Sequence, residues 1–558
     1  MSRLQYLTCS PELSFSQLSV RIALARKRLS SYPLDKLDFI MMDLERPAAS
    51  TRHASQCTGD LTGRYLEFAS AAEGIDGGHD PRLAELFERI LRTRRPSGLF
   101  GVANGSLSNP VAPEDNISVV PYRLFPGFIQ YWRATGDSRA LGAAIDQGEW
   151  LLKITDRIDK WFPQGRHATE AWFTEPMAML YFETGDERYL KLNALIADRI
   201  APCEYAHSHG YMATMRGLQL SALYTGDKSW NEKPEICRRS IIDKFYQMAD
   251  GCVGEQHPRS FRNEGCSIAD WLMMNLNAGL LGRDEGFSQV ENILWNAMFF
   301  NQAATGGFGH RDLTEDGYAT GPFSEAWWCC THHCGLAMTE VARHAVTETP
   351  ENGLRINFLI PGEFKVKDAR IKISTDYPNK ARALIEAGNL KPGQKLEVRL
   401  PDCWKQPEEV RFERSGCERI NLTGKIGLHL DSYDDASVLR YGPLVMAPLT
   451  YYWEDKEPEI ADDIPAGYVP KFLPRGNVKL ILPPADADGL LQGMERNPIP
   501  EWSYFGIGPD MPLSVEEAPC YVQCQFHTGE VRKLWFNPLC HLTSNLSYYD
   551  TPIIWRNK

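Results

Sequence analysis

The sequence predicts a multidomain chain, α then β: an (α/α)6 toroid followed by one or more β-sandwich modules. Three observations predict it. A Thr-Gly-Asp punctuation recurs through the first half, the hydrophobic period shifts from helical to alternating after residue 350, and 558 residues exceed what one ordinary core holds.

From the N-terminus, "MSRLQYLTCSPELSFSQLSVRIALARKRLS" has no basic tip followed by an apolar run and a small-residue cleavage site. A cytoplasmic protein is expected, or an exported one whose signal is absent from this sequence. In "AAEGIDGGHDPRLAELFERIL", Asp80 and Pro81 stand at a helix start, and Leu83, Leu86, Phe87 and Ile90 recur at helical spacing. The same break then returns as "YWRATGDSRAL", "YFETGDERYL", "ALYTGDKSW" and, more loosely, "GLLGRDEGF". Each glycine ends a helix in the left-handed conformation, and the aspartate after it caps the next. The intervals between Gly136, Gly185, Gly226 and Gly282 are 49, 41 and 56 residues, each long enough for two helices. About six such pairs fit between residues 20 and 350, and six pairs close into a toroid with a pocket at one end. The rival, an open α-solenoid, repeats more regularly than these intervals do.

Past residue 350, "GLRINFLIPGEFKVKDARIKISTDYP" and "QKLEVRLPDCWKQPEEVRFERSG" alternate apolar and polar residues in short runs, the pattern of strands with one buried face. The expected division is a helical domain over 1–350, a β-sandwich over 351–455, and a second β-rich segment or sandwich extension over 456–558.

Composition excludes several function classes. A net charge of −12 with both signs interspersed argues against a nucleic acid partner. No run approaches the ~20 uncharged apolar residues of a membrane helix, so no membrane partner is expected. Fourteen cysteines in so long a chain make no disulfide scaffold. Most, such as Cys203, Cys237, Cys403 and Cys417, read as reduced small hydrophobes.

The exception is "EAWWCCTHHCG", which packs Cys329, Cys330, Cys334, His332 and His333 into one stretch. Neighbouring residues point in different directions on a regular element, so two adjacent thiols reach one ion only across a turn. The helical text that follows puts the pair at a helix N-terminus, where free N–H groups favour thiolate. Glu264 and Cys266 in "FRNEGCSIADW" sit at another helix start. Together, Glu264, Cys266, Cys329 and Cys330 would form a four-coordinate site of three sulfurs and one oxygen, suited to zinc. Buried ordinary thiols with Glu264 as a helix cap explain the same residues, and spacing alone leaves both readings open.

"EGCSIADW" followed by "WWCCTHHCG" resembles glycoside hydrolase family 127, the β-L-arabinofuranosidases, and its relatives. "GDLTGRYLEFAS", "TDYP", "RLPDCW" and "YGPLVMA" extend the likeness over most of the chain. The resemblance implies an (α/α)6 barrel with β-sandwich modules, a zinc ion on Glu264, Cys266, Cys329 and Cys330, Cys329 as nucleophile, and Glu255 in "GCVGEQHPRSFRNEGC" as acid/base. The activity implied is that of a zinc-dependent retaining exo-glycosidase releasing a pentofuranose-type sugar. Two features depart from the family pattern. The interval from Glu255 to Glu264 is short, and "THHCG" stands where proline-rich text is expected, which puts the sugar's identity in doubt.

Further pocket candidates are His209, Arg216, Tyr318, His167 and His332, all near expected helix ends, with His207 and His333 beside them. Trp327 and Trp328 offer a stacking face for a sugar, and Glu325 is a rival carboxylate. Each has a structural alternative as a core or helix-end residue. Other functions compatible with the sequence are a relative cleaving the branched acidic sugar of complex pectin, a non-catalytic carbohydrate-binding protein with structural zinc, and a lyase or epimerase on the same scaffold. The partner expected is a small glycan or glycoside; oligomeric state is open, a homodimer included.

Overall fold

The computed structural model describes residues 8–46, 58–75, 77–102, 122–153, 155–161, 171–200, 206–258, 260–303, 305–319, 323–349, 351–414, 418–453, 478–481, 520–526, 531–541 and 551–556. Its helices are α1 (Gln17–Leu29), α2 (Leu37–Glu45), α3 (Asp60–Ala71), α4 (Leu83–Arg92), α5 (Leu124–Thr135), α6 (Ser138–Lys153), α7 (Ile158–Trp161) and α8 (Thr174–Thr184). They continue as α9 (Arg188–Arg199), α10 (Ser208–Thr225), α11 (Glu232–Asp243), α12 (Gly265–Leu280), α13 (Asp284–Asn292), α14 (Phe299–Asn301) and α15 (Cys330–Arg343).

The Thr-Gly-Asp unit builds the same corner three times. Gly136, Gly185 and Gly226 end α5, α8 and α10 at φ of 72°, 73° and 77°, a region closed to most side chains. The threonine hydroxyl before each returns to a carbonyl four residues back at 2.7 Å. The aspartate after each accepts a backbone N–H two residues on at 3.0 Å, starting the next helix.

Two kinds of helix alternate along the chain. α10 and α12 are buried around nearly their whole circumference, whereas α4 and α11 bury only a stripe. The buried kind contact one another in a cycle: α3 packs on α5, α5 on α8, α8 on α10, α10 on α12, α12 on α15, and α15 on α3. Outside them α4 lies on α3, α6 on α5, α9 on α8, α11 on α10, α13 on α12 and α1 on α15. Glycine permits the close approaches. A Cβ on Gly217 of α10 would lie 2.3 Å from the Thr174 hydroxyl of α8, and one on Gly63 of α3 would lie 2.2 Å from the Arg123 carbonyl carbon.

Among the described residues after α15, most lie in strands. A six-stranded antiparallel sheet runs Ser10–Leu13, Gly362–Val366, Ala369–Thr375, Arg382–Gly388, Glu418–Lys425, Lys405–Arg414. Its first strand thus comes from the start of the chain. Pairing of Ile371 with Ala387 and of Ile373 with Ile385 puts buried side chains on one face, as the alternating text predicts. A second sheet holds Leu428–Tyr433, Ala436–Tyr441, Leu444–Trp453, Val531–Pro538, Cys520–Phe526 and Val478–Ile481, with Trp555–Arg556 beside Ala436–Tyr441. Strands from beyond residue 456 therefore share a sheet with strands before it. Thr551–Pro552 returns to the helical half and pairs with Gly317–Tyr318. Among the described residues no helix is long and apolar enough to cross a membrane.

The packing predicts opposite outcomes for two glycine-to-alanine changes. Gly217→Ala pushes a methyl into α8 and should cost about 1–3 kcal/mol, while Gly142→Ala, where nothing lies within 4 Å, should gain about 0.5–1 kcal/mol from helix propensity. Urea unfolding of the two variants checks both signs.

Candidate active site

Four helix N-termini converge at one end of the six-helix cycle. Glu264 caps α12, Cys329 caps α15, His207 caps α10 and Arg123 precedes α5. A small sheet brings the two cysteine motifs together. Arg262–Glu264 pairs with Gly309–Asp312, which pairs in turn with Ser324–Glu325, so Glu264 is delivered beside the turn that carries Cys329. The Cys334 thiol, 3.1 Å from the Gly265 carbonyl, joins α15 to α12 just below.

Glu264, Cys266, Cys329 and Cys330 are all buried, and their ligand-type atoms lie within 4.8 Å of one another. The Cys329 and Cys330 sulfurs are 3.7 Å apart. A tetrahedral ion with Zn–S bonds of about 2.3 Å requires sulfurs roughly 3.8 Å apart, so the residues present fit zinc. His207 Nε2 lies 2.9 Å from Glu264 Oε2, and the Ser267 hydroxyl donates to the same oxygen at 3.1 Å. Both orient the carboxylate. Hydrogen bonds from the Cys266 and Cys330 thiols lower the Cys329 pKa against the effect of burial. Burial raises Cys266 and Cys330 instead, leaving Cys329 as the sulfur most readily ionised.

Below this cluster lies a buried polar network. Arg64, bonded to Asp60 at 2.9 Å, reaches to 3.9 Å from the Cys266 sulfur and to 3.1 Å from His209 Nε2. Arg123 reaches the same nitrogen at 2.9 Å. Two guanidinium donors on Nε2 put the His209 ring proton on Nδ1, which donates to Asp270. Asp270 also accepts from His333 at 3.0 Å and from Arg216, whose other nitrogen bonds Glu175. Burial pushes the Asp270 carboxyl up, but His209, His333 and Arg216 outweigh it and hold it well below the usual 3.8. His209, Asp270 and His333 also bring ligand-type atoms together. Guanidinium groups already occupy His209 Nε2 and one Asp270 oxygen, however, so this triad is a hydrogen-bonded support and not a cation site.

Glu255 sits across a short hairpin from Glu264. Its N–H donates to the Arg262 carbonyl at 2.8 Å, and its carbonyl accepts from Ser208 N–H at 2.9 Å. The side chain is 28% exposed with the Arg262 guanidinium 3.8 Å away. Burial lowers the His310 pKa, against the raising effect of the Glu264 and Glu255 carboxylates near it.

The other sequence candidates divide. His209 and Arg216 lie in the network beneath the thiols. His332 is buried, its ring 5.9 Å from that of Tyr65 and neither nitrogen hydrogen-bonded; burial lowers its pKa to about 3, so it is neutral. Tyr318 is buried elsewhere and donates to Asp250. Glu325 is engaged by Arg28. Trp327 and Trp328 are half-buried and meet edge to face at 5.0 Å, with Phe39 on Trp327. His167 lies outside the described residues, as do Cys203 and Cys417. Sequence reasoning missed Arg64, Arg123, Asp270 and His310. Asp270 had a signal: it follows Cys266 by one helical turn in otherwise apolar text.

A buried thiol-carboxylate cluster thus lies at the ends of a cycle of helices, carried ahead of two large β-sheets. The β-L-arabinofuranosidase GH127 catalytic domain matches residues 53–334, half of the chain. The chain therefore belongs to glycoside hydrolase family 127 and is a glycoside hydrolase acting on a glycan or glycoside. Its fold is similar to that of a GH127 β-arabinofuranosidase, with a TM-score of 0.67 and 13% identity over 99% of this chain and 98% of the other. It is similar also to a GH127 β-L-arabinofuranosidase from Geobacillus stearothermophilus T6, with a TM-score of 0.65 and 12% identity over 98% of this chain and 100% of the other. No curated protein matches it in sequence.

Replacing Asp270 with Asn leaves Arg216 and two histidines without their shared charge, which should cost about 3–5 kcal/mol. Because the folded pKa is depressed, the carboxylate's contribution is complete above the unfolded value and is lost as pH falls through the folded one. The stability gap between wild type and variant should thus be flat above about pH 5 and shrink below about pH 4, as urea titrations across that range would read.

Proposed function

We propose that the enzyme is a zinc-dependent retaining exo-glycosidase that releases a terminal pentofuranose of the β-L-arabinofuranoside kind, with Cys329 as nucleophile and Glu255 as acid/base. The observation that carries this reading is the meeting of Glu264, Cys266, Cys329 and Cys330 with ligand-type atoms within 4.8 Å. The cycle of six helices is read as the inner ring of an (α/α)6 toroid, and the two large sheets as its β-sandwich module.

Zinc held by the three sulfurs and Glu264 supplies the positive charge that keeps the thiols ionised at neutral pH. Everything else is done by the chain. His207 and Ser267 hold the Glu264 carboxylate in place, and the Arg64 guanidinium beside Cys266 adds a fixed positive charge in a water-poor site. The Cys329 thiolate attacks the anomeric carbon on the face opposite the leaving oxygen, forming a C–S bond as the C–O bond breaks. Glu255, partly exposed and so able to exchange protons with water, gives its proton to the departing oxygen. As a carboxylate it then takes a proton from a water that attacks the same carbon and expels the thiolate. Two inversions leave the configuration retained.

Cys329→Ser should lower turnover by roughly a thousandfold or more, while the melting temperature stays near that of wild type if the other three residues hold the ion. Glu255→Gln should slow sugars with poor leaving groups by about 10²–10⁴-fold and nitrophenyl glycosides far less, and azide should restore part of its rate. Early-time proton NMR should show the retained anomer. A Cys329→Ser enzyme with near-normal turnover and metal bound would make the cluster a structural staple and move the chemistry to the carboxylates.

Metal analysis should find one zinc per chain. Removing it with a chelator should abolish activity and lower the melting temperature, both restored by added zinc. Zinc bound in an enzyme inactive on every pentofuranoside and pyranoside tried would argue for a purely structural ion.

A further inference from the structure

At the other end of the six-helix cycle, among the C-terminal halves of α10, α12 and α15, lies a cavity of about 540 Å³. That is the size of small-molecule sites. Glu67, Gln130 and Asn277 line it from three different helices, each no more than 7% exposed. None of the three side chains hydrogen-bonds to a described residue, and Gln130 Oε1 is buried without a partner. Leaving a polar group so placed costs stability unless something enters to meet it.

The lining chooses among ligand classes. The cations around the cavity are already held: Arg216 by Glu175 and Asp270, Arg133 by Glu183 at 2.7 Å, and Arg343 by the Ala71 carbonyl. Five carboxyl groups, Glu67, Glu73, Glu175, Glu183 and Glu340, outnumber these three guanidinium groups on the lining, so an anion would meet repulsion. A metal ion fares no better, since it would share the wall with the guanidinium groups of Arg133, Arg216 and Arg343. Two carboxamides and one carboxyl offer donors and acceptors together, which is what hydroxyl groups require. Met179, Leu220, Leu276 and Leu336 supply apolar wall between them, suited to the C–H faces of a ring. We propose that this cavity is a second carbohydrate site, taking a neutral monosaccharide on Glu67, Gln130 and Asn277 at the opposite end of the ring from the thiols. The polar network joins the two ends, since Arg216 bonds Asp270 on the catalytic side and itself lines the cavity.

The test is calorimetric titration of free L-arabinose, D-xylose and D-glucose into the full-length enzyme, alongside Asn277→Leu and Gln130→Leu. At least one sugar should bind wild type and Cys329→Ser alike, with affinity falling about tenfold or more in each leucine variant. Retained hydrolysis of a nitrophenyl glycoside by the variants would report an intact fold and catalytic end. A crystal of wild type soaked in the same sugar should show it against Asn277, a readout that does not depend on the variants. Binding unchanged in both variants, sugar found only beside Cys329, or no binding to wild type would each overturn the proposal. Loss of activity in Cys329→Ser bears on the catalytic reading alone, so the two can fail separately.

Discussion

Asp270 has no contact with water, and the structure is arranged around that fact. An ionised carboxylate in such a place costs several kcal/mol unless it is fully paired, and here the pairing recruits every member of the helix cycle. His209 and Arg216 come from α10, His333 from α15 and Glu175, through Arg216, from α8. Arg64 of α3 and Arg123 at the start of α5 close on His209 from the far side. Sliding any one helix along its axis would strand a charge, so the register of all six is set electrostatically as well as by the apolar contacts between them.

That register decides what the N-termini above can do. Glu264 and Cys329 are capping residues, and their separation is fixed by how α12 and α15 meet. The Cys334 thiol on the Gly265 carbonyl and the Asp270–His333 bond tie those two helices within two turns of the sulfurs. A site built from helix ends on a rigid support holds its geometry more tightly than one built on loops. The same support explains why so many ionisable groups coexist here. Asp270 is held ionised by His209, His333 and Arg216, and Arg216 in turn by Glu175 and Asp270.

The features legible in the sequence were those with local causes. Thr-Gly-Asp states its own geometry, because the threonine, glycine and aspartate each bond within a few residues of themselves. Alternation in "FKVKDARIKIST" states which face of a strand is buried. The metal-type cluster was legible as two motifs, although only the small sheet through Gly309–Asp312 explains how they meet. The supporting charges were not legible. Arg64 and Arg123 look like ordinary surface arginines until six helices close around them, and His310 stands alone in its stretch of text. Tyr318 illustrates the reverse. Its position near the pocket end suggested a sugar contact, yet its hydroxyl serves a buried aspartate beside a strand pair made by the chain's last residues. Ser10–Leu13 could not be seen at all, since four residues containing a proline carry no alternation to read.

That first strand has a consequence for assembly. Pro11 pairs with Phe364, so the earliest residues of the chain complete the edge of a sheet whose other strands are made only after the whole helical half. Closing so long a loop from a disordered chain carries a large entropic penalty. Once the helices have packed, α15 ends next to Cys9, whose N–H bonds the Arg343 carbonyl at 2.9 Å, and the distance left to close is short. The strand thus ties the helical half to the β half through a closure whose entropic cost the packed helices have already met.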